Sequence, residues 1–447
     1  MISILQRKTN NLISDRKFSE ILTGSAWALG ARVVATLLAM VTTIIIARFY
    51  GAEILGVVAV LNSFLMLATL FTVLGTGTSI LRLIPEHLAK YSPSSAFKVY
   101  RKTQFFVAGM SVIAGAVLFF CSGFIAETVF SKPHLRFYFA LASVFIVFQS
   151  LMLLNTQAVR GVRLIRVFAF MQVLPSLSKL IILIPITVFF FHQSNPIYAM
   201  FASFTMTALV GAWIMDRVFK KNAAPDDIVH PMPMKEILSI SLPMLMSATM
   251  SFITGQTGVI MLGMFRPEAE VGYYAVAVKL ATLTAFVLHA INSMAAPKFS
   301  EFYHTGKMDE LFHVAKKSTK LIFWTTAPIL IFLILLGKPA LSLMFGSDFT
   351  VAYGAMVILV LGQFVNSISG STGVFMNMTG RQKVFRNIAM ISAAINIMLN
   401  LILTPHRGIY GAAIAGMTSM IFWNLSTLVY IKKKHGQSIG YLPLLVR

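Results

Sequence analysis

A chain of 447 residues in which 57% are hydrophobic and only 12% charged has too few polar side chains to clothe a soluble globule of its size. Its mean hydropathy of +0.79 is that of a polytopic membrane protein. The net charge of +22 comes without a basic face interleaved with aromatics, which sets nucleic acid aside as a partner, and a single cysteine, Cys121, excludes intramolecular disulfides and cysteine-cluster metal sites.

The amino-terminal stretch carries Arg7, Lys8, Arg16 and Lys17 without a continuous apolar core, which argues against a cleaved signal peptide. Beyond it, twelve apolar stretches can each cross a hydrocarbon core of about 30 Å as a helix. They are 22–47, 54–74, 104–125, 137–156, 167–191, 196–215, 237–262, 271–293, 319–337, 352–375, 386–403 and 409–431. Segments such as 180–191 are apolar on every face, where a β-barrel strand would alternate. The expected fold is all-α.

Lys220, Lys221, Pro225, Asp226, Asp227, Pro231 and Pro233 crowd into 216–236, which reads as a linker between lobes 1–215 and 237–447 of six spans each. An even number of spans per half starts both halves on the same side, as parallel repeats about a pseudo-twofold axis along the membrane normal. Two echoes support the repeat. Gly51-Ala52-Glu53-Ile54-Leu55-Gly56 resembles Pro267-Glu268-Ala269-Glu270-Val271-Gly272, 216 residues on, and Leu83-Ile84-Pro85-Glu86-His87 resembles Ala295-Ala296-Pro297-Lys298-Phe299.

Cytoplasmic loops collect Lys and Arg. The amino terminus, the even-numbered connections and the tail, with Lys320 and Arg386 at the first turns of their spans counted among them, hold 28 of the 37 such residues, against six in the external connections: Arg48, Lys132, Arg136, Arg266, Lys338 and Arg407. Both termini are thus expected in the cytoplasm, with Lys432, Lys433 and Lys434 facing anionic headgroups. The external loops are short and carry no domain. The longer cytoplasmic loop 298–320 is amphipathic and expected to lie on the membrane surface.

Arg32, Lys179 and Lys279 remain, each inside an apolar span, whereas all fifteen Asp and Glu lie outside the spans. A cation at mid-bilayer costs about 3 kcal/mol on insertion scales, so three cost roughly 9 kcal/mol unless they face water or an anion. Arg32 is near mid-depth. Lys179 follows Pro175, which is expected to kink its helix. Lys279 is close enough to the outer interface for snorkelling to compete with a cavity role. Arg82, at the inner end of the second span, is either a cavity floor or an interfacial anchor.

His289 is the one group within a span that titrates near neutrality; it is a candidate for proton coupling, against the plainer reading of a core histidine. Asn62, Gln149, Asn155, Gln172, Gln256, Asn292, Gln363, Asn366, Asn396 and Asn400 read mostly as interhelical hydrogen bonds, with a subset available to sugar hydroxyls. Pro175, Pro185, Pro243 and Pro328 interrupt four spans. The small-residue run 408–416 permits close packing. No metalloprotease, nucleotide-loop or serine-elbow motif is present, so no enzyme, cofactor or metal is expected.

An acid-free interior with three cations suits an anionic amphiphile. A carrier of cationic drugs would need a buried carboxylate for its cargo and coupling ion, and a glycan polymerase would need catalytic carboxylates or a large outer loop.

The chain resembles the oligosaccharide-lipid (polysaccharide precursor, Wzx-type) flippases of the multidrug/oligosaccharidyl-lipid/polysaccharide exporter superfamily. The resemblance runs through Ala47-Arg48-Phe49-Tyr50-Gly51-Ala52-Glu53-Ile54-Leu55-Gly56, Leu74-Gly75 and Leu81-Arg82-Leu83-Ile84-Pro85-Glu86. In the second half it runs through Val271-Gly272-Tyr273-Tyr274, Pro297, Met344-Phe345-Gly346, Thr379-Gly380-Arg381, Asn396 to Asn400 and Gly408-Ile409-Tyr410-Gly411-Ala412-Ala413. It implies a two-lobe carrier in a bacterial inner membrane that moves a polyprenyl-pyrophosphate-linked oligosaccharide, an O-antigen, capsule or exopolysaccharide precursor, by alternating access. Its partners would be that lipid-linked substrate, membrane lipids and the polysaccharide polymerase machinery. The pyrophosphate is expected to pair with Arg32, Lys179 and Lys279. The alternative in the same superfamily is a cation-coupled multidrug exporter.

Overall fold

The computed structural model describes residues 16–222 and 230–441, the side chains of 16–26, 222 and 247 excepted. Arg7, Lys8, Pro225, Asp226 and Asp227 lie outside the described residues, as do the side chains of Arg16 and Lys17. No strand occurs among the described residues. Thirteen α-helices of seven or more residues occur among the described residues. In the first half these are α1 (Arg16–Val73), α2 (Thr76–Lys90), α3 (Pro93–Phe120), α4 (Arg136–Gly161), α5 (Ile165–Phe189) and α6 (Asn195–Asn222). The second half supplies α7 (Met234–Phe265), α8 (Glu268–Leu283), α9 (Ala285–His304), α10 (Met308–Phe345), α11 (Tyr353–Ser369), α12 (Thr372–Met378) and α13 (Gln382–His435).

Nine helices among the described residues are long and apolar enough to cross a membrane, and α8 and α9 form one further bent span. Two of the nine are double, because α1 turns at Gly51 (φ 77°) and α13 at Gly408 (φ 51°), backbone values that glycine adopts without a Cβ penalty. The twelve expected spans are thereby accounted for. Large apolar side chains such as Phe105, Phe120, Phe190 and Leu343 stand out from the helices at 72–84% exposure, a surface that only lipid would cover.

None of the in-span prolines ends its helix. Pro175 and Pro185 lie within α5, Pro243 within α7, and Pro328 and Pro339 within α10, and each helix continues past them. A proline forfeits one backbone hydrogen bond, which neighbouring helices make tolerable. The breaks fall at Gly51, at Leu74 and Gly75, at Thr284, at Gly370 and at Gly408. Segment 298–320 is likewise not a separate surface loop: it is the end of α9, a short turn and the first turns of α10. Cys121 sits exposed just after α3 ends.

By packing, the chain forms two units. The smaller comprises residues up to Thr42, then 72–113 and 145–244; the larger comprises 43–71, 114–144 and 245 onwards. The smaller has its core where Ile80, Leu83 and Ile84 of α2 meet Tyr100 of α3, Leu154 of α4 and Phe219 of α6. There Asn155 accepts from the Tyr100 hydroxyl (2.9 Å) and donates to the Ala208 carbonyl (2.9 Å). Arg101 pairs with Asp216 at 2.8 Å, and Lys102 donates to the Met232 carbonyl (2.9 Å), fastening the carboxyl end of the linker to α3.

In the larger unit, the two echo segments pack on each other reciprocally. A Cβ placed on Gly56 would overlap the carbonyl oxygen of Glu268, and one placed on Gly272 would overlap that of Ala52. Residue 56 corresponds to 272 and residue 52 to 268 at the offset of 216, so each contact is the image of the other, the signature of a twofold relation. The second echo also shares its setting: Pro85 lies within α2 and Pro297 within α9, each helix following a break in the chain.

Also in the larger unit, Arg48 caps α10: its Nε donates to the Met344 carbonyl (3.0 Å) and its Nη2 to that of Leu343. Last-turn carbonyls lack intrahelical partners. Arg48→Ala is expected to lower stability by about 1 kcal/mol, with Arg48→Lys recovering only part because one ammonium replaces a two-pronged donor. Thermal unfolding in detergent micelles would measure both.

Candidate functional site

Arg32 lies on α1 and is exposed. Among the described residues its guanidinium has no carboxylate within ion-pair distance. Its carbonyl accepts from the Thr36 hydroxyl (2.9 Å). At about 100° per residue, Arg32, Thr36, Ala39 and Thr43 follow one face of the helix.

Lys279 of α8 donates to the Thr43 hydroxyl. Lys279 is half-buried.

Lys179 is half-buried on α5. It shares a helix face with Gln172, Pro175 and Ser176, at the i, i+3, i+4, i+7 spacing, and Gln172 keeps a buried side-chain oxygen without a partner among the described residues. Every described carboxylate in these ion pairs lies near a helix end or in a loop, and none of these pairs involves Arg32 or Lys179.

Arg82 is on the amphipathic α2 rather than on the second span; it is 62% exposed and 3.6 Å from Glu86. A hydrogen bond from Lys90 holds the Glu86 carboxyl below its ordinary pKa. His289 is exposed on α9. Most of the polar residues in the spans pair with neighbours. Gln256 accepts from Ser63 (2.7 Å), Asn396 donates to Ser419 (2.9 Å), and Asn400 donates to the Asn396 carbonyl (2.9 Å). Gln149, Gln172 and Asn292 each retain a buried unpartnered oxygen among the described residues.

Sequence reasoning missed a charged knot in the larger unit. Glu268, only 10% exposed at the side chain, receives His134 at 2.9 Å and Lys132 at 3.5 Å, and Lys132 also donates to the Arg266 carbonyl (2.8 Å). Burial pulls the Lys132 ammonium below its ordinary pKa, against the opposing pull of Glu268. The one available signal was inside the echo, where acidic Glu268 stands opposite neutral Ala52. Among the described residues no group of three metal-ligating side chains occurs.

Known proteins place this architecture. The sequence profile of the polysaccharide biosynthesis protein family matches residues 21–303, and that of the MatE family matches 243–402. A probable low-salt glycan biosynthesis flippase of Haloferax volcanii, Agl15, is 25% identical over 189 residues, which is 41% of this chain and 40% of that protein. The chain thus matches less than half of that relative's length. Among solved structures, the lipid II flippase MurJ in an inward closed conformation superposes with a TM-score of 0.68 at 15% identity, over 92% of this chain and 87% of that one. An inward-facing multidrug resistance MATE family transporter of the MOP superfamily gives 0.66 at 16%, over 92% and 98%. At such identities these two structures speak for the fold alone. The family match spans more than half of the chain: the protein belongs to the polysaccharide biosynthesis protein family, and its fold is that of multi-pass membrane proteins.

Proposed function

We propose that the protein flips a polyprenyl-pyrophosphate-linked oligosaccharide across a bacterial cytoplasmic membrane by alternating access, with both termini in the cytoplasm. Segments 1–215 and 237–447 act as lobes about the linker 216–236. The observation that carries the reading is the placement of Arg32 and Lys179 on apolar spans, with no carboxylate within ion-pair distance of either among the described residues, and of a third cation, Lys279, on α8. A pyrophosphate moving through low dielectric would replace its lost hydration by pairing with such cations.

Arg32 of α1, Lys179 of α5 and Lys279 of α8 serve as stations for the pyrophosphate along its path. Arg82 meets the headgroup at the path's cytoplasmic end, and His289 is the candidate for coupling to protons. The flipped lipid is then handed to polysaccharide polymerase machinery.

Reconstituted protein should bind a polyprenyl-pyrophosphate oligosaccharide roughly tenfold or more weakly after Arg32→Gln, Lys179→Gln or Lys279→Gln, from the loss of one charge-assisted contact. Unchanged binding in folded variants across several glycans would mean that the cations are structural. The MatE match over 243–402 favours a second reading, a cation-coupled drug exporter. Export of a cationic dye by proteoliposomes, with surface glycans normal in cells lacking the protein, would decide for it.

A further inference from the structure

A second candidate site lies within the smaller unit, on faces of α1 and α5 other than those of Arg32 and Lys179. A cavity of about 620 Å³ opens between α1 and α5, inside the range of about 300–1,000 Å³ typical of ligand pockets. From α1 it is lined by Trp27, Gly30, Ala31 and Val34, and from α5 by Arg166, Ala169, Phe170 and Val173. Both sets follow the i, i+3, i+4, i+7 spacing, so two matched helical stripes face each other along about 10 Å of axis.

The stripes are apolar save at one end. There the Arg166 guanidinium lies 5.8 Å from the centre of the Trp27 ring, the aromatic and cationic pair that settles at a membrane interface. Arg160, set over Phe168 at 5.3 Å, and Arg163 precede it in the chain. Among the described residues none of these three arginines has a carboxylate within ion-pair distance. The groove walls stay open: Trp27, Val34 and Phe170 are 46–50% exposed. Small residues, Gly30, Ala31 and Ala169, leave the width of a hydrocarbon chain between the helices.

From helical geometry, Arg32 points roughly 150° around α1 from this groove and Lys179 roughly 130° around α5. The groove therefore does not share a face with the cations assigned to the cargo. We infer that it holds one anionic phospholipid, with its phosphate on Arg166 beside Trp27 and an acyl chain lying between the two stripes. An arginine fork suits a phosphate better than a point charge does, and basic pockets between spans hold acidic headgroups. The inference stands whether or not the cargo is a lipid-linked glycan.

The test is native mass spectrometry of the delipidated full-length protein, titrated separately with phosphatidylglycerol, phosphatidylcholine and undecaprenyl phosphate. One phosphatidylglycerol should be retained in preference to phosphatidylcholine. Its retention should fall about fivefold or more with Arg166→Gln, the loss expected for one arginine near an anionic headgroup. It should fall similarly with the groove-filling Gly30→Phe, and stay unchanged in Arg32→Gln.

On otherwise unaltered protein, brominated phosphatidylglycerol should quench tryptophan fluorescence, and Trp27→Phe should remove most of that quenching. Equal retention of the two phospholipids, or retention indifferent to both groove variants, would overturn the inference. So would displacement of phosphatidylglycerol by undecaprenyl phosphate with the same dependence on Arg166, which would give the groove to the cargo.

Discussion

Gly56→Ala and Gly272→Ala should each destabilise the protein by about 3 kcal/mol or more, the upper end for forcing atoms into a packed contact. Each new methyl would meet a backbone carbonyl, Glu268 for residue 56 and Ala52 for residue 272. Backbone cannot rotate away as a side chain can, so the two segments must separate. Once one substitution has parted them, the second finds room already made, and the double variant should cost clearly less than the sum. Gly109→Ala is the control: nothing lies within 4 Å of its added methyl, and its effect should stay below about 1 kcal/mol. Denaturant unfolding in micelles would report all four. Neutral single variants, or costs that add in full, would sink the account of a reciprocal contact.

The second large effect is expected at the buried charges. Glu268→Ala leaves Lys132, whose side chain is 11% exposed, without its counter-ion, and removing one partner of a buried pair costs about 3–5 kcal/mol. Lys132→Met should cost a similar amount, since Glu268 then keeps only the more exposed His134. Replacing both, as Glu268→Leu with Lys132→Met, should recover most of the loss, because two apolar side chains owe no desolvation. If the double replacement were as unstable as either single one, the pair would not be the source of the effect. His134→Ala should be milder, its ring being 59% exposed.

These predictions concern contacts that join distant parts of the chain, and that is where sequence reasoning ran out. Twelve spans could be read directly because hydrophobic length is a local property and the bilayer sets its scale. The echo at offset 216 was visible as letters, but only packing showed that Gly56 and Gly272 are the points of closest approach. Each in-span proline removes a hydrogen bond, yet none of them ends its helix. In the folded chain α5, α7 and α10 run through them, and the helices turn at residues with positive φ such as Gly51 and Gly408. Arg82 looked like the end of a span because α2 follows α1 with only Leu74 and Gly75 between.

By itself the sequence determined that this is an all-helical membrane protein with a repeated half, and that its spans carry cations and no acids. Those properties follow from composition, run length and periodicity, which neighbours in the chain impose on each other. Tertiary structure alone decided that Lys279 rests on Thr43, that Lys132 and His134 share Glu268, and that Arg166 stands over Trp27 at the mouth of a groove. Each pairing joins residues more than a hundred positions apart, and only the packing of whole helices chooses among the partners that local chemistry would equally allow.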